Sequence, residues 1–595
     1  MAVDAVTILV NGTAQATDKT GQDVSLFDRD GIERVQGPDL TRLLERAPGV
    51  TITRNGGPGA FTAVHVRGGD SDQLLVLIDG VRVADPASPG GGFDLGNLLM
   101  GNVAKVELQR GSNSTIWGNQ ALSGVLAVTT NTRPGASASA EYGARDTFYG
   151  TLAAGGQLGP VSLGISGGRY ASEGFSAAAG GAEPDGFRQN ELAGRATVAL
   201  ASGLHAFARA RYAEGRLDLD GFPAPTYAFA DTAEYQSARQ RSGAVGAEYA
   251  NQALTLTASG SSARTERSNF DAPGSAANFT ADGLSRRIEL HGNWRLAPHL
   301  ALAFGGEREW TRFATLYDGE HRTAITGAYG QFAYDRGPLH LAAGLRRDTN
   351  HDFGHATSAG ADAAYALGEG WRIVASYGEG FKAPTLFQLR SDFGNVLLLP
   401  ERSRSYDAGI AYGGPRGSAA VTAFRRDTRD LIVFVGCGGR SSGICAGRPY
   451  GTYDNASRAR AEGIEFEAHG EPSEALQFGA TYTFVRAQDV TAGSATARMA
   501  LARRPRHALT LSGDWMRGPV RLGADLRVVS GSFDDAANTV PLAGYTTATV
   551  RGEFAIGRAI TLFGRVENAL DAIYQTAAGY ATARRSAFIG ARARL

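Results

Sequence analysis

The chain has 595 residues, 43% of them hydrophobic, and its 59 basic residues balance 59 acidic ones. That apolar content rules out wholesale disorder, and a formal charge of zero asks for no nucleic-acid partner. Eighty glycines against four methionines and two cysteines suit a turn-rich β protein rather than a helical one.

Residues 1–35 read as an extended lead. Its opening, MAVDAVTILVNG, lacks the basic segment and the apolar run of about 7–15 residues that mark a secretory signal, so Met1 is expected to begin a mature, recombinant form. No run of about 18 apolar residues occurs, which excludes a transmembrane helix. A membrane barrel stays open, because its strands need only about ten residues with every second one apolar. Within the lead, Val6, Thr7, Ile8, Leu9 and Val10 form one short β-branched run.

From Asp39 to Leu44 the sequence predicts a short helix: Asp39 caps it, Leu40, Leu43 and Leu44 face a core, and Pro48-Gly49 ends it. The runs Val64–Val66, Leu74–Ile78, Val103–Leu108 and Val125–Val128 are bounded by Gly, Asn and Asp, the punctuation of strands. They predict a small α+β domain over residues 36–133.

The period then changes to two. Val520 to Val528 and Ile560 to Glu567 alternate without a break, and alanine and glycine are frequent while charges punctuate one face. A soluble sandwich would fill its core badly with such small residues. One face to lipid and one to a polar lumen fits better. Dividing about 460 residues by roughly 20 per strand and half its turns gives about 22 or 23 strands, the range of plugged barrels. Tight links such as Gly518-Pro519 belong to one rim, and long polar stretches such as 215–235 and 434–455 to the other.

Several ordered motifs then carry a resemblance. Arg67-Gly68, the run Val76 to Val81, Val106-Glu107 to Arg110-Gly111 and Trp117-Gly118 to Gly124-Val125 resemble the plug domain of TonB-dependent outer-membrane receptors. Ser376 to Leu389 with Pro400 to Ser403, Asn455 to Arg460 with Glu462 to Glu465, Arg503 to His507, and Val566 to Asp571 before Tyr574 are similar to the barrel signatures of the same receptors. Length and segment order look most like the vitamin B12 (cobalamin) receptors among them. One departure is the last strand, Ala587 to Leu595, which ends on leucine where such barrels usually end on an aromatic residue.

The resemblance implies an all-β membrane protein of a Gram-negative cell: a 22-stranded antiparallel transmembrane β-barrel over 134–595 with the α+β plug inside its lumen. It implies active import of cobalamin or a related corrinoid, with a ferric-siderophore or other metal-chelate receptor as the alternative. A surface receptor or adhesin without transport is a second alternative. Implied partners are TonB, energised by ExbB and ExbD, outer-membrane lipid, and an accessory surface lipoprotein.

Val6 to Val10 sit where these receptors carry the TonB box, an accessible strand that adds to a partner's sheet edge. The rival reading is an ordinary first plug strand. For ligand contact the resemblance selects the plug loops 55–62 and 84–93. There Phe61 would stack on a flat macrocycle, and Asp85, Ser88 and the backbone around Gly59, Ala60 and Gly90 would hydrogen-bond. The rival is plain plug turns. Glu183, Asp185, Asp220 and Asp231 fall in two successive outer loops and match the calcium loops of the cobalamin receptors, with Leu219 where a tyrosine is expected. Calcium needs six to eight oxygens, several of them carboxylates; solvated surface acids are the rival.

Cys437 and Cys445 lie close together in a Gly- and Ser-rich loop. In an exported protein such a pair is expected to form one disulfide. A reactive or metal-binding pair is the rival, although that loop holds no histidine. No metal-protease, phosphate-loop or nucleophile-elbow spacing occurs, so the chain is not expected to be an enzyme.

Overall fold

In the computed structural model, residues 6–7, 12, 15–101, 103–130 and 134–595 are described. Twenty-two antiparallel strands close into a barrel in which each pairs with its neighbours in sequence. The closure is made by the first strand, Gly135–Gly143, pairing with the last, Ser586–Arg594. No described helix is long and apolar enough to cross a membrane.

Alternation builds the wall. In the strand Leu339–Asn350, His340, Ala342, Arg346, Asp348 and Asn350 are buried toward the lumen, while Leu341 and Leu345 are 43% and 62% exposed on the outside. Lipid takes that outer face, and the lumen takes charge because plug atoms answer it.

Turns on one rim are tight, as at Gly159-Pro160 and Gly518-Pro519. On the other rim the strands run on beyond the roughly ten residues a membrane needs. The stretch 215–235, expected as a loop, is strand up to Gly221 and again from Ala230, and 434–455 is strand up to Gly436 and from Gly451. Neighbouring strands satisfy each other's N–H and C=O groups in water as they do in lipid, so polar composition does not end them.

The plug is a five-stranded mixed sheet of Val24–Phe27, Val103–Arg110, Gly124–Thr130, Leu74–Ile78 and Val81–Arg82, with a separate hairpin of Val50–Arg54 and Thr62–Val66. Of the four predicted apolar runs, Leu74–Ile78, Val103–Leu108 and Val125–Val128 are the central strands of the sheet, and Val64–Val66 belongs to the hairpin. The short helix Leu40–Leu44 is also present, capped by Asp39, whose carboxylate accepts the Thr41 N–H at 2.9 Å. Leu40, Leu43 and Leu44 pack with Val64, Val106 and Leu126 in one core.

The lead is not extended throughout. Val24–Phe27 joins the plug sheet, and Arg29–Val35 is a helix capped by Asp28, which accepts the Gly31 N–H at 2.8 Å. Only Ile32 and Val35 are buried on it, too few for a periodic signal, and Gly31 in its interior argues against a helix on propensity.

Candidate functional site

Residues from the plug apex and the outer loops meet at the extracellular rim. The hairpin loop after Arg54 is held from both sides: Arg54 N–H donates to the Thr576 hydroxyl at 3.0 Å, and Asn55 N–H to the Phe61 carbonyl at 3.1 Å. Gly59 lies flat under Phe187, where a Cβ would come within 2.3 Å of the ring, and its φ of +83° suits glycine alone. Ala60 is buried and its carbonyl accepts the Thr62 hydroxyl at 2.8 Å. Phe61, by contrast, is 49% exposed.

The second plug loop is tied inward. Asp85 is buried, pairs with Arg267 of the wall at 3.1 Å and accepts the Ala87 N–H at 2.9 Å. Ala87 packs with Phe313 and Leu386. Ser88 is half-buried, its N–H donating to the Asp85 carbonyl at 3.1 Å, and a Cβ on Gly90 would meet the Asp72 carboxylate. Of the six residues expected to meet a ligand, the structure presents the Phe61 side chain outward and uses the Asp85 side chain to fasten its own loop.

Three of the four acids expected around a cation come together. Glu183, Asp185 and Asp220 each bring a carboxylate oxygen to within 4.8 Å of the others. Asp231 stands beside them, accepting the N–H groups of Ala182 at 2.7 Å and Glu183 at 3.3 Å. Asp220 accepts the Ala178 N–H at 2.6 Å and Asp185 the Ala177 N–H at 2.6 Å. The second Asp185 oxygen is buried with no hydrogen-bond partner among the described residues.

Burial pushes the Asp185 carboxyl up to about 8, with the Asp220 charge adding to it and the Ala177 N–H opposing it. Burial raises Glu183 as well, helped by Asp220 and Asp231. Clustered like charges with an orphaned oxygen fit a hard divalent cation. The loop they occupy packs on the plug apex: a Cβ on Gly56 would come within 2.7 Å of that of Ala177.

Deeper in the lumen, Arg67 links plug and wall. It donates to Glu465 at 2.9 and 2.7 Å and reaches Asp407 and Asp23, each at 2.5 Å, with the Phe424 ring 4.7 Å from its guanidinium carbon. Arg110 also faces Glu465, at 3.2 Å. Lys382, fully buried, sits 3.0 Å from Asp72 and 3.5 Å from Glu401. The motifs holding Arg67, Arg110, Lys382 and Glu465 are visible in the sequence; their pairing is not, because the partners are hundreds of residues apart.

At the opposite rim Val6–Thr7 pairs with Gln15–Ala16, while Ile8, Leu9 and Val10 lie outside the described residues. The segment that follows rests on the inner wall, where Asp362 accepts the Thr20 hydroxyl at 3.1 Å and the Gly21 N–H at 2.7 Å. In the outer loop 437–450, Cys437 and Cys445 are joined as a disulfide.

Beside the plug helix a cavity of about 230 Å³ remains, lined by Asp39, Glu45, Arg54, Tyr545 and Tyr574. It is smaller than the roughly 300–1,000 Å³ of a site for a drug-sized molecule.

A closed barrel of 22 strands with its lumen filled by a sheet domain defines a plugged outer-membrane receptor. The chain matches the TonB-dependent receptor-like β-barrel over residues 188–569 and the TonB-dependent receptor plug domain over 16–125. It belongs to the TonB-dependent receptor family, whose members are transporters of the Gram-negative outer membrane.

Solved structures share the whole fold. The siderophore receptor PiuA of Acinetobacter baumannii is 16% identical, with a TM-score of 0.81 over 98% of each chain. The ferric enterobactin receptor PfeA of Pseudomonas aeruginosa is 18% identical, at 0.80 over 96% of this chain and 98% of that one. The ferric yersiniabactin uptake receptor FyuA of Yersinia pestis is 16% identical, at 0.79 over 97% and 98%.

Proposed function

We propose that this protein imports a ferric siderophore or a similar metal chelate across the outer membrane, driven by TonB with ExbB and ExbD. The observation that carries active import is the filled lumen: plug side chains are bonded to the wall at several depths, Asp85 to Arg267 and Arg67 to Glu465 among them, so the plug must rearrange for cargo to pass. The chelate class is supported by the solved neighbours, whose names are those of siderophore, enterobactin and yersiniabactin receptors. It therefore stands ahead of the expected cobalamin. Phe61, open at the plug apex, offers an apolar face to the cargo.

A corrinoid cargo is the second reading, supported by the cluster of Glu183, Asp185 and Asp220 beside Asp231, which agrees with the likeness to the cobalamin receptor BtuB. In either case Glu183, Asp185 and Asp220 would hold calcium. The ion would supply the positive charge that lets three carboxylates, those of Asp185 and Asp220 buried and that of Glu183 exposed, share one site. Asp231 fixes the loop through backbone N–H groups, and the ordered loop buttresses the apex at Gly56.

The test is equilibrium binding of a panel of ferric catecholates and hydroxamates, and of cyanocobalamin, to the purified protein, together with uptake by cells carrying Ile8→Pro. Tight binding of a ferric chelate, with uptake lost in Ile8→Pro and binding kept, is the expected result. Binding of cyanocobalamin alone would replace the cargo, and undiminished uptake by Ile8→Pro would overturn TonB-driven import in favour of a surface receptor.

A further inference from the structure

The outer wall carries a second, separate feature. Lumen contacts fix the parity of the strands between Leu204 and Arg336: Arg209 donates to the Asp79 carbonyl at 2.6 Å, and Arg211 to the Asn97 carbonyl at 3.3 Å, both in the plug. Ala210 and Tyr212 therefore face outward. Cross-strand register then sets Tyr212, Arg241, Arg264, Leu284, Arg312 and Arg322 side by side in one row on the outside of six consecutive strands. One step toward the periplasmic rim come Gly243, Ser262, Arg286 and Trp310, and one step further Val245, Gly260 and Ile288.

The small residues at the centre of this array leave a shallow depression of about 1590 Å³. Its upper margin is basic and its lower margin apolar, with Val245 64% and Ile288 56% exposed. A tryptophan facing lipid beside arginines marks the headgroup level of a membrane. Trp310 stands there, on the extracellular half of the wall.

Most arginines of the upper row already have carboxylates. Arg264 pairs with Glu266 at 3.0 Å and Asp282 at 2.9 Å, Arg312 with Glu320 at 2.9 Å, and Arg241 with Glu266 at 3.5 Å. Arg286, exposed at the centre, has no carboxylate within 4.0 Å among the described residues. A guanidinium at the boundary of lipid needs an anion, and its planar fork matches phosphate oxygens two at a time.

We propose that this depression binds an outer-leaflet lipid whose headgroup carries phosphate. Arg286 is the central phosphate ligand, Arg241, Arg264 and Arg312 surround the headgroup, and the acyl chains descend over Val245 and Ile288. The site lies on the opposite side of the wall from the cargo path and does not depend on the identity of the cargo.

Native mass spectrometry of the full-length protein in detergent tests it, with bis-phosphorylated lipid A, the same lipid dephosphorylated, and inorganic phosphate as probes. The bis-phosphorylated lipid is expected to bind at least tenfold more tightly than the dephosphorylated one, with inorganic phosphate not retained. Arg286→Gln should remove most of that preference, while Arg347→Gln, an outward arginine on another strand, should leave it intact. Retention of both lipids alike, or equal losses in Arg286→Gln and Arg347→Gln, would overturn the site. Circular dichroism and heat-modifiable gel mobility confirm that the variants fold.

Discussion

Arg67 in the plug and Glu465 in the barrel wall are 398 residues apart in sequence and meet through two hydrogen bonds, at 2.9 and 2.7 Å. Both are almost fully buried, and two further carboxylates, of Asp407 and Asp23, share the same guanidinium. Removing the arginine leaves three acids without it in a place water hardly reaches. Breaking a buried pair from one side costs about 3–5 kcal/mol. Arg67→Ala should lower the urea midpoint for plug unfolding, read by a spin label on the plug, while barrel circular dichroism stays unchanged. A plug midpoint equal to wild type would show that the ion cluster does not retain the plug.

Asp39 gives the plug a pH dependence. Burial alone would raise its carboxyl, but Arg54 at 2.8 Å and the Thr41 N–H overcome it and hold the group down at about 2. A carboxylate depressed in the folded state stabilises above its unfolded value, near 4, and loses that contribution as pH falls toward 2. Plug stability in guanidinium titrations should therefore drop between pH 4 and pH 2. Asp39→Asn should cost about 1.5–3 kcal/mol at pH 7 and flatten that part of the slope. A variant with the same slope as wild type would assign the acid sensitivity to other groups.

Calcium should act through the loop that carries Glu183 and Asp185. We expect terbium luminescence and calorimetry to show one tight site, weakened at least tenfold by Asp185→Asn. Added calcium should protect residues 173–186 from protease in wild type and not in the variant. Equal protection with and without a chelator would leave the acids as surface charges.

Phe61 and Asp85 separate ligand contact from loop structure. With its ring open at the apex, Phe61→Ala should weaken chelate binding about tenfold, or ~1.4 kcal/mol, without changing plug stability. Asp85→Ala removes the partner of Arg267 and the acceptor of the Ala87 N–H, so it should destabilise its loop first. If both variants lower stability and neither changes affinity, cargo binds elsewhere.

The barrel wall is legible in the sequence because lipid on one side and water on the other impose a strict period of two. Strand ends are less so. Arg216 and Asp218 lie above the membrane, where both faces are wet and the period carries no information, and pairing continues through them. Core helices are legible in proportion to their apolar face: Leu40, Leu43 and Leu44 announce one, whereas Ile32 and Val35 do not. The candidate cation cluster is legible only through resemblance, since Asp185 comes from a loop and Asp220 from the end of the strand Leu204–Gly221, and isolated acids are common on any surface. Arg286 leaves no trace at all in a linear reading, because its isolation from carboxylates exists only across strands.

The pairing of Gly135–Gly143 with Ser586–Arg594 fixes the order in which the molecule can be made. Every other pairing of barrel strands joins neighbours in sequence, but this one spans nearly the whole barrel, the costliest loop closure available to it. Until the final strand arrives, the two outermost strands expose rows of unpaired N–H and C=O groups, and such edges invite pairing with other chains. Closure is therefore the last step, it must take place around a plug synthesised first, and the nascent chain has to be shielded at two edges at once until then.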